Sequence, residues 1–263
     1  MKALSYLVLS FLASTLATAG TYEWWDNQNN WGVLAGNGSV GSFDTWRVGG
    51  TSDFRSDWSN VVNYPDKYVV IYPSAVAGWN PGGAIPEVDM PMKVALDVAG
   101  SYVTAQFNPS MWNQYDTNDK WNVALDIWCH KNDSNGNFIT AGQSDEVMFW
   151  TKWKGMAPYG TIQSVSGGRE YWYKWLEKPV DKRTAAQISA GWTGWSVRTI
   201  KEENATGTKD VRQICIDAGV PTTRFVTGVH AGSEVINGSA SFKLTNFKVW
   251  WRNGANTTAH TGQ

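Results

Sequence analysis

An all-β sandwich or jelly roll is what this sequence predicts, on three observations. Short runs of strand-forming residues recur along the chain, and Gly, Pro and Asn-Gly signals separate them. Strands do not alternate with helices as they do in parallel α/β sheets. The expected strands are 68–72, 103–107, 122–130, 146–153, 171–176, 195–200, 224–230 and 240–251. Turns are expected at Asn80-Pro81-Gly82-Gly83, Asn135-Gly136 and Gly167-Gly168.

One short helix is predicted at 209–218. Val211, Ile214, Cys215 and Ala218 fall at i, i+3, i+4 and i+7 and form one apolar face. Thr208 is expected to cap its start, Asp210 to sit in the first turn, and Gly219 with Pro221 to close it. The chain has two cysteines, Cys129 in a strand and Cys215 on the buried face of the helix. If the helix packs behind that strand's sheet, the sulfurs can meet. The readings are then a disulfide or two buried thiols.

The first 19 residues read as a secretion signal. Lys2 gives the positive start, residues 4–16 form a short apolar run, and Ala17-Thr18-Ala19 fits a cleavage site. That run is too short and too interrupted by Ser and Thr to span a membrane. The expected mature protein is one exported catalytic domain, residues 20–263, acting as a monomer. Five Asn-x-Ser/Thr sequons stand at Asn37, Asn132, Asn204, Asn237 and Asn256.

A formal charge of −1 predicts neither a nucleic-acid partner nor a polybasic membrane surface. Seventeen tryptophans suit a neutral sugar polymer, whose rings pack on indole, although many must serve the core. Histidine spacing offers no metal site and no triad signature is present, so no cofactor is expected.

Two glutamates stand in otherwise apolar or small-residue runs: Glu146 in Asp145-Glu146-Val147-Met148-Phe149-Trp150, and Glu234 in a stretch read as strand, 228–235. A pair of carboxylates across an aromatic groove is what glycoside hydrolysis uses. Strand alternation puts Glu146, Met148 and Trp150 on one face, with Val147 and Phe149 toward the core. It puts Asp145 on the wrong side for the same site. It also places Asp126 and Trp128 together, so Asp126 can reach Glu146 if the two strands are neighbours. His230, four residues before Glu234, reads as a partner or a solvent-facing histidine.

These segments resemble the motifs of glycoside hydrolase family 12, the small endo-β-1,4-glucanases and xyloglucanases. Glu146-Val147-Met148-Phe149-Trp150 is similar to the family's nucleophile motif. Leu125-Asp126-Ile127-Trp128 is similar to its Tyr-Asp-x-Trp strand, and Gly232-Ser233-Glu234-Val235-Ile236-Asn237-Gly238 to its acid/base motif. Tyr72-Pro73 with Gly78-Trp79 follows a further pattern, and the order matches over about residues 24–250. Ile236 stands where the family has an aromatic, and the segment 29–32 is one residue short.

The resemblance implies a jelly roll of two antiparallel sheets with a concave cleft, and a retaining double displacement. Glu146 would be the nucleophile, Glu234 the acid/base and Asp126 the nucleophile's partner. The candidate sugar contacts are Trp150, on the face of Glu146; Trp31, Trp79 and Trp128, each read as a sugar platform or a core residue; Met148 beside Glu146; and, in the loop 157–160, Pro158. Glu234 is the carboxyl expected to be raised, by burial and by the charge of Glu146. A glycan at Asn237 would crowd the cleft, so that sequon is expected to stay bare. The implied substrate is cellulose, mixed-linkage β-glucan or xyloglucan. A xyloglucan-specific hydrolase or transglycosylase, and a non-catalytic glucan-binding or signalling protein, stay open as alternatives.

Overall fold

The structure, a computed structural model, describes residues 22–25, 40–48, 53–61, 72, 74–78, 92–112, 117–131, 144–183, 185–189, 191, 193–254 and 260–262. Residues 68–71 of the strand expected at 68–72, and the turns at 80–83 and 135–136, lie outside them.

The described residues form fifteen strands. They are β1 (Tyr22–Trp25), β2 (Val40–Val48), β3 (Asp53–Val61), β4 (Ser74–Gly78), β5 (Val94–Ala95), β6 (Tyr102–Trp112), β7 (Lys120–His130) and β8 (Ser144–Lys154). After these come β9 (Thr161–Ser166), β10 (Arg169–Glu177), β11 (Gly194–Lys201), β12 (Gly207–Asp210), β13 (Phe225–Gly232), β14 (Val235–Arg252) and β15 (His260–Gly262). A first sheet runs β1-β4-β13-β7-β8-β11-β10-β9. A second runs β2-β3-β14-β6-β12, with β15 also on β14. The long strand β14 joins them: Val235 pairs with Trp121 of β7, and residues from Gly238 on pair with β3 and β6.

The two layers enclose one core. Leu125, Ile127, Val147 and Phe149 of the first sheet meet Val103, Phe107, Phe242 and Leu244 of the second, all fully buried. Their alternation along each strand leaves the other face of the first sheet for a site.

The first sheet is mixed rather than purely antiparallel, which corrects the expectation. β11 runs parallel to β8, with Val197 opposite Glu146 and Thr199 opposite Met148. A parallel neighbour needs a long crossover. Residues 155–193 supply it, carrying the β9–β10 hairpin, so that β11 inserts between β8 and β10. Gly167 and Gly168 turn that hairpin with φ of 59° and 77°, the left-handed pair that a tight two-residue turn demands.

The predicted helix is α2 (Val211–Asp217), with Val211, Ile214 and Cys215 buried; a five-residue helix, α1 (Ala185–Ser189), precedes it. Asp210, not Thr208, is the cap: its carboxylate accepts the Gln213 N–H at 3.0 Å. Thr208 belongs to β12 and pairs with Gln106. The helix packs on β6 and β8 and brings Cys215 Sγ to 3.5 Å from Cys129 Sγ, with no bond between them.

Candidate active site

On the face of the first sheet turned from the core, Ala124, Met148, Trp150 and Val197 form a second apolar cluster, flanked by Trp153, Met156, Leu176 and Trp195. Glu146 lies among them at 6% exposure. A cavity of about 360 Å³ opens here, and both Glu146 and Glu234 line it. Met148, Trp150, Tyr159, Trp195 and Ile236 are among its other walls. The two glutamates, 88 positions apart in sequence, are thus brought to one cavity.

Glu146 is fixed by the ladder. Trp128 is its partner on β7 and Val197 its partner on β11. The Trp195 indole N–H donates to its Oε2 at 3.0 Å. Burial, and then the charge of Glu234, push the Glu146 carboxyl up to about 8, against the pull of that hydrogen bond.

Glu234 does not sit in a strand. It occupies, with Ser233, the two-residue connection between β13 and β14. That puts it outside the alternation that would have aligned it with His230. Its position is set by Asn122 instead: Asn122 Nδ2 donates to Glu234 Oε2, and Asn122 Oδ1 accepts the Glu234 N–H at 3.1 Å. The Ser233 hydroxyl donates to the Asn122 carbonyl at 2.6 Å. Gly238 closes the segment at φ 108°, where a Cβ would lie 2.1 Å from Asp119 Oδ1. Burial pushes the Glu234 carboxyl up to about 7, against the Asn122 hydrogen bond.

Both carboxyls are therefore raised, and Glu146 further, whereas the sequence predicts the rise at Glu234. Burial lifts both, and Glu146 is lifted further by the charge of Glu234. Two facing acids in an apolar wall hold protons as a pair, and one proton between them is the state that acid–nucleophile chemistry uses.

Asp126 pairs with Met148 and lies diagonal to Glu146 on the same face. Burial, then the charges of Glu146 and Glu234, raise its carboxyl well above the usual range, while a Trp128 hydrogen bond pulls it down. His230 is fully buried opposite Asp126, with Nδ1 3.8 Å from Oδ2. It is a partner and not a solvent-facing group. Tyr72 is buried beside the same three carboxyls, whose charges add to burial in raising its phenol.

Trp128, Met148 and Trp150 share the face of Glu146; Met148 and Trp150 line the cavity, and Trp128 is buried at 5% exposure. Pro158 is itself buried, while its neighbours Ala157 and Tyr159 are at the cavity. Trp31 and Trp79 lie outside the described residues. Asp145 points to the core side, as alternation requires. There it accepts from Ser196 Oγ at 2.5 Å, Arg198 Nε at 3.1 Å and Arg224 Nε at 3.0 Å.

Asn122 and Trp195 were not singled out by the sequence. Asn122 carries a signal in retrospect, since alternation from Asp126 through Ala124 brings it to the same face. Trp195 carries none, because its place depends on the parallel pairing of β11. Among the described residues no cluster of three or more His, Cys, Asp or Glu could hold a metal, and no helix is long and apolar enough to cross a membrane.

No family model matches the chain, and no curated protein does. Solved structures do. A family 12 xyloglucanase from Bacillus licheniformis in complex with ligand superposes with a TM-score of 0.58 at 19% identity, covering 88% of this chain and 93% of that one. The catalytic domain of Humicola grisea Cel12A, in complex with a soaked thio cellotetraose, gives 0.57 at 16% identity over 88% and 93%. Trichoderma harzianum endoglucanase 3, from family GH12, gives 0.53 at 19% identity over 93% and 92%. The motif resemblance and the superpositions converge: the chain has the β-jelly-roll fold of the family 12 glycoside hydrolases.

Proposed function

We propose that this chain is a secreted, retaining endo-β-1,4-glucanase. The observation that carries the reading is the convergence of Glu146 and Glu234 on one apolar, tryptophan-walled cavity, each carboxyl raised by burial. Neighbours with the same fold were solved with a thio cellotetraose or with cellobiose, which supports a glucan as the ligand class.

In the proposed first step, the Glu146 carboxylate attacks the anomeric carbon while the Glu234 carboxyl gives its proton to the departing glycosidic oxygen. A glycosyl ester on Glu146 and a shortened chain result. Glycosylation neutralises Glu146, which removes the charge that disfavours ionisation of its neighbour. The Glu234 carboxylate then takes a proton from water as that water attacks the anomeric carbon, and the ester is released. Asn122 aims Glu234 at the oxygen, Trp195 aims Glu146 at the carbon, and Asp126 holds the polar floor beside Glu146. Retention requires carboxyl groups about 5–5.5 Å apart across the substrate.

The test is the release of reducing ends from xyloglucan, barley β-glucan and carboxymethyl-cellulose, in parallel, by the wild type and Glu146→Gln. Activity on at least one polymer, absent in the variant, is expected. Binding of these polymers without any cleavage by the wild type would replace the hydrolase with a binding or signalling protein.

A further inference from the structure

Beyond β11 the first sheet extends past its partner layer. All six residues of β9 are exposed, and β10 is half-buried to exposed along its length. The registers of β10 on β11 place Tyr171, Tyr173 and Trp175 opposite Ile200, Arg198 and Ser196, on the face away from the catalytic cavity. Three aromatics at alternate positions of one strand form a row, spaced by about 6.8 Å per step. Trp175 is 38% exposed.

A cavity of about 580 Å³ opens on this side, larger than the one that holds the glutamates. Tyr171 and Tyr173 line it together with Gln163, Ser164 and Arg198, and the end of α2 at Asp217–Gly219 closes one side. The Arg198 guanidinium lies over the Tyr173 ring at 4.9 Å and donates to the Ala218 carbonyl at 3.1 Å. The ring is thereby held in place rather than free to collapse into the opening.

Charge selects the ligand class. Arg198 is paired with Asp145, which also holds Arg224, and Arg169 is paired with Glu202 at 2.5 Å and Asp217 at 3.2 Å. Three arginines meet three carboxylates, so the surroundings are balanced and favour neither an anion nor a cation. What is presented is apolar ring surface edged by hydroxyl, amide and carbonyl groups. That combination matches a neutral polyhydroxylated chain, whose C–H faces pack on aromatics and whose hydroxyls take and give hydrogen bonds.

We infer that this groove, lined by Tyr171 and Tyr173 and continued along the same face of β10 by the exposed Trp175, is a second glucan-binding site that anchors the polymer away from the cleavage cavity. The inference rests on the glucan reading for the polymer it commits to. β10 and β11 serve both sites through alternation: Leu176, Trp195 and Val197 face the glutamates, while Tyr173 and Arg198 face the groove. Substitutions on the groove side are therefore separable from catalysis.

The experiment compares wild type, Trp175→Ala and Tyr173→Ala/Trp175→Ala. Hydrolysis of a short aryl cello-oligosaccharide reads the cavity. Retardation in native gels containing xyloglucan or mixed-linkage β-glucan, with Glu146→Gln introduced in every chain to keep the polymer intact, reads polymer binding. Equal thermal melting of Trp175→Ala and wild type controls for folding. The expected result is unchanged turnover of the short substrate, polymer affinity weakened at least fivefold in the double variant, and an intermediate loss in Trp175→Ala. Unchanged retardation in both variants, or no retardation of the parent, overturns the groove. If polymer retention is lost in the variants while no glucan is ever cleaved, the groove stands and the hydrolase reading falls. If glucans are cleaved and the variants retain full polymer affinity, the reverse holds.

Discussion

Asn122 holds Glu234 by three hydrogen bonds: its side chain gives one to the Glu234 carboxylate and takes the Glu234 N–H, and its own N–H donates to the Glu234 carbonyl at 2.9 Å. A residue in an irregular connection is thereby given the fixed position that a strand would otherwise provide.

Asn122→Ala removes the side-chain part of that clamp. The Asn122 amide favours the ionised form of Glu234, so its loss lets the Glu234 carboxyl rise further. The expected result is a kcat lower by about tenfold or more, since one well-placed hydrogen bond to a charged group is worth about 1.5–3 kcal/mol. The alkaline limb of the pH–rate profile should move to higher pH. A pH profile of kcat checks it; a variant with wild-type kcat and limbs would show that Asn122 only builds the fold.

Trp195→Phe keeps an aromatic wall but removes the donor to Glu146. That donor lowers the Glu146 carboxyl, so the variant needs a higher pH to ionise its nucleophile. The acid limb of kcat/KM should shift upward, with the loss greatest at low pH and about tenfold there for a shift of one unit. An acid limb that stays in place would contradict the contact's role.

The buried acids should cost stability as pH rises. Glu146 is raised from about 4.5 to about 8 in the folded chain. Its protonated form is the one the fold accommodates, so its contribution is fully present below about pH 4.5 and is lost as pH rises through about 8. Glu146→Gln carries no such penalty. Its melting temperature should exceed that of the wild type at pH 8.5 by several degrees, at about 2–4 °C per kcal/mol for a chain of this size. The gap should close near pH 4. A gap independent of pH would mean that the carboxyl ionises freely.

Cys129 and Cys215 meet across the core at 3.5 Å and stand 86 positions apart in the sequence. Closing such a loop is worth about 4–5 kcal/mol on the chain-entropy account. Protein recovered from an oxidising medium should lack both free thiols, with a mass lower by two hydrogens. It should melt several degrees above its reduced form. Two titratable thiols in the unreduced, unfolded protein would show that the pair stays open.

The parts legible in the sequence were those with a local signature. The period-two run 122–130 and the Glu146 segment announced both their strands and their faces, which is why Asp145 could be set aside in favour of Glu146. The apolar spacing of Val211, Ile214 and Cys215 announced the helix. What escaped was non-local. Nothing in 194–201 says that it pairs parallel to β8, so Trp195 could not be linked to Glu146. The stretch 228–235 has the look of one strand, whereas the chain turns at Ser233 and Glu234 to pass from β13 into β14. β2 and β3 escaped because polar residues such as Ser42, Asp44, Ser56 and Asp57 interrupt their apolar pattern.

Azide rescue separates the roles of the two glutamates. Glu234→Ala leaves space beside a glycosyl-enzyme formed from an aryl cellobioside with a good leaving group, where azide needs no general base. Restored turnover and a β-glycosyl azide, the product of two inversions through Glu146, are expected. No rescue, or an azide of inverted configuration, would contradict the assignment of Glu146 as nucleophile and Glu234 as acid/base.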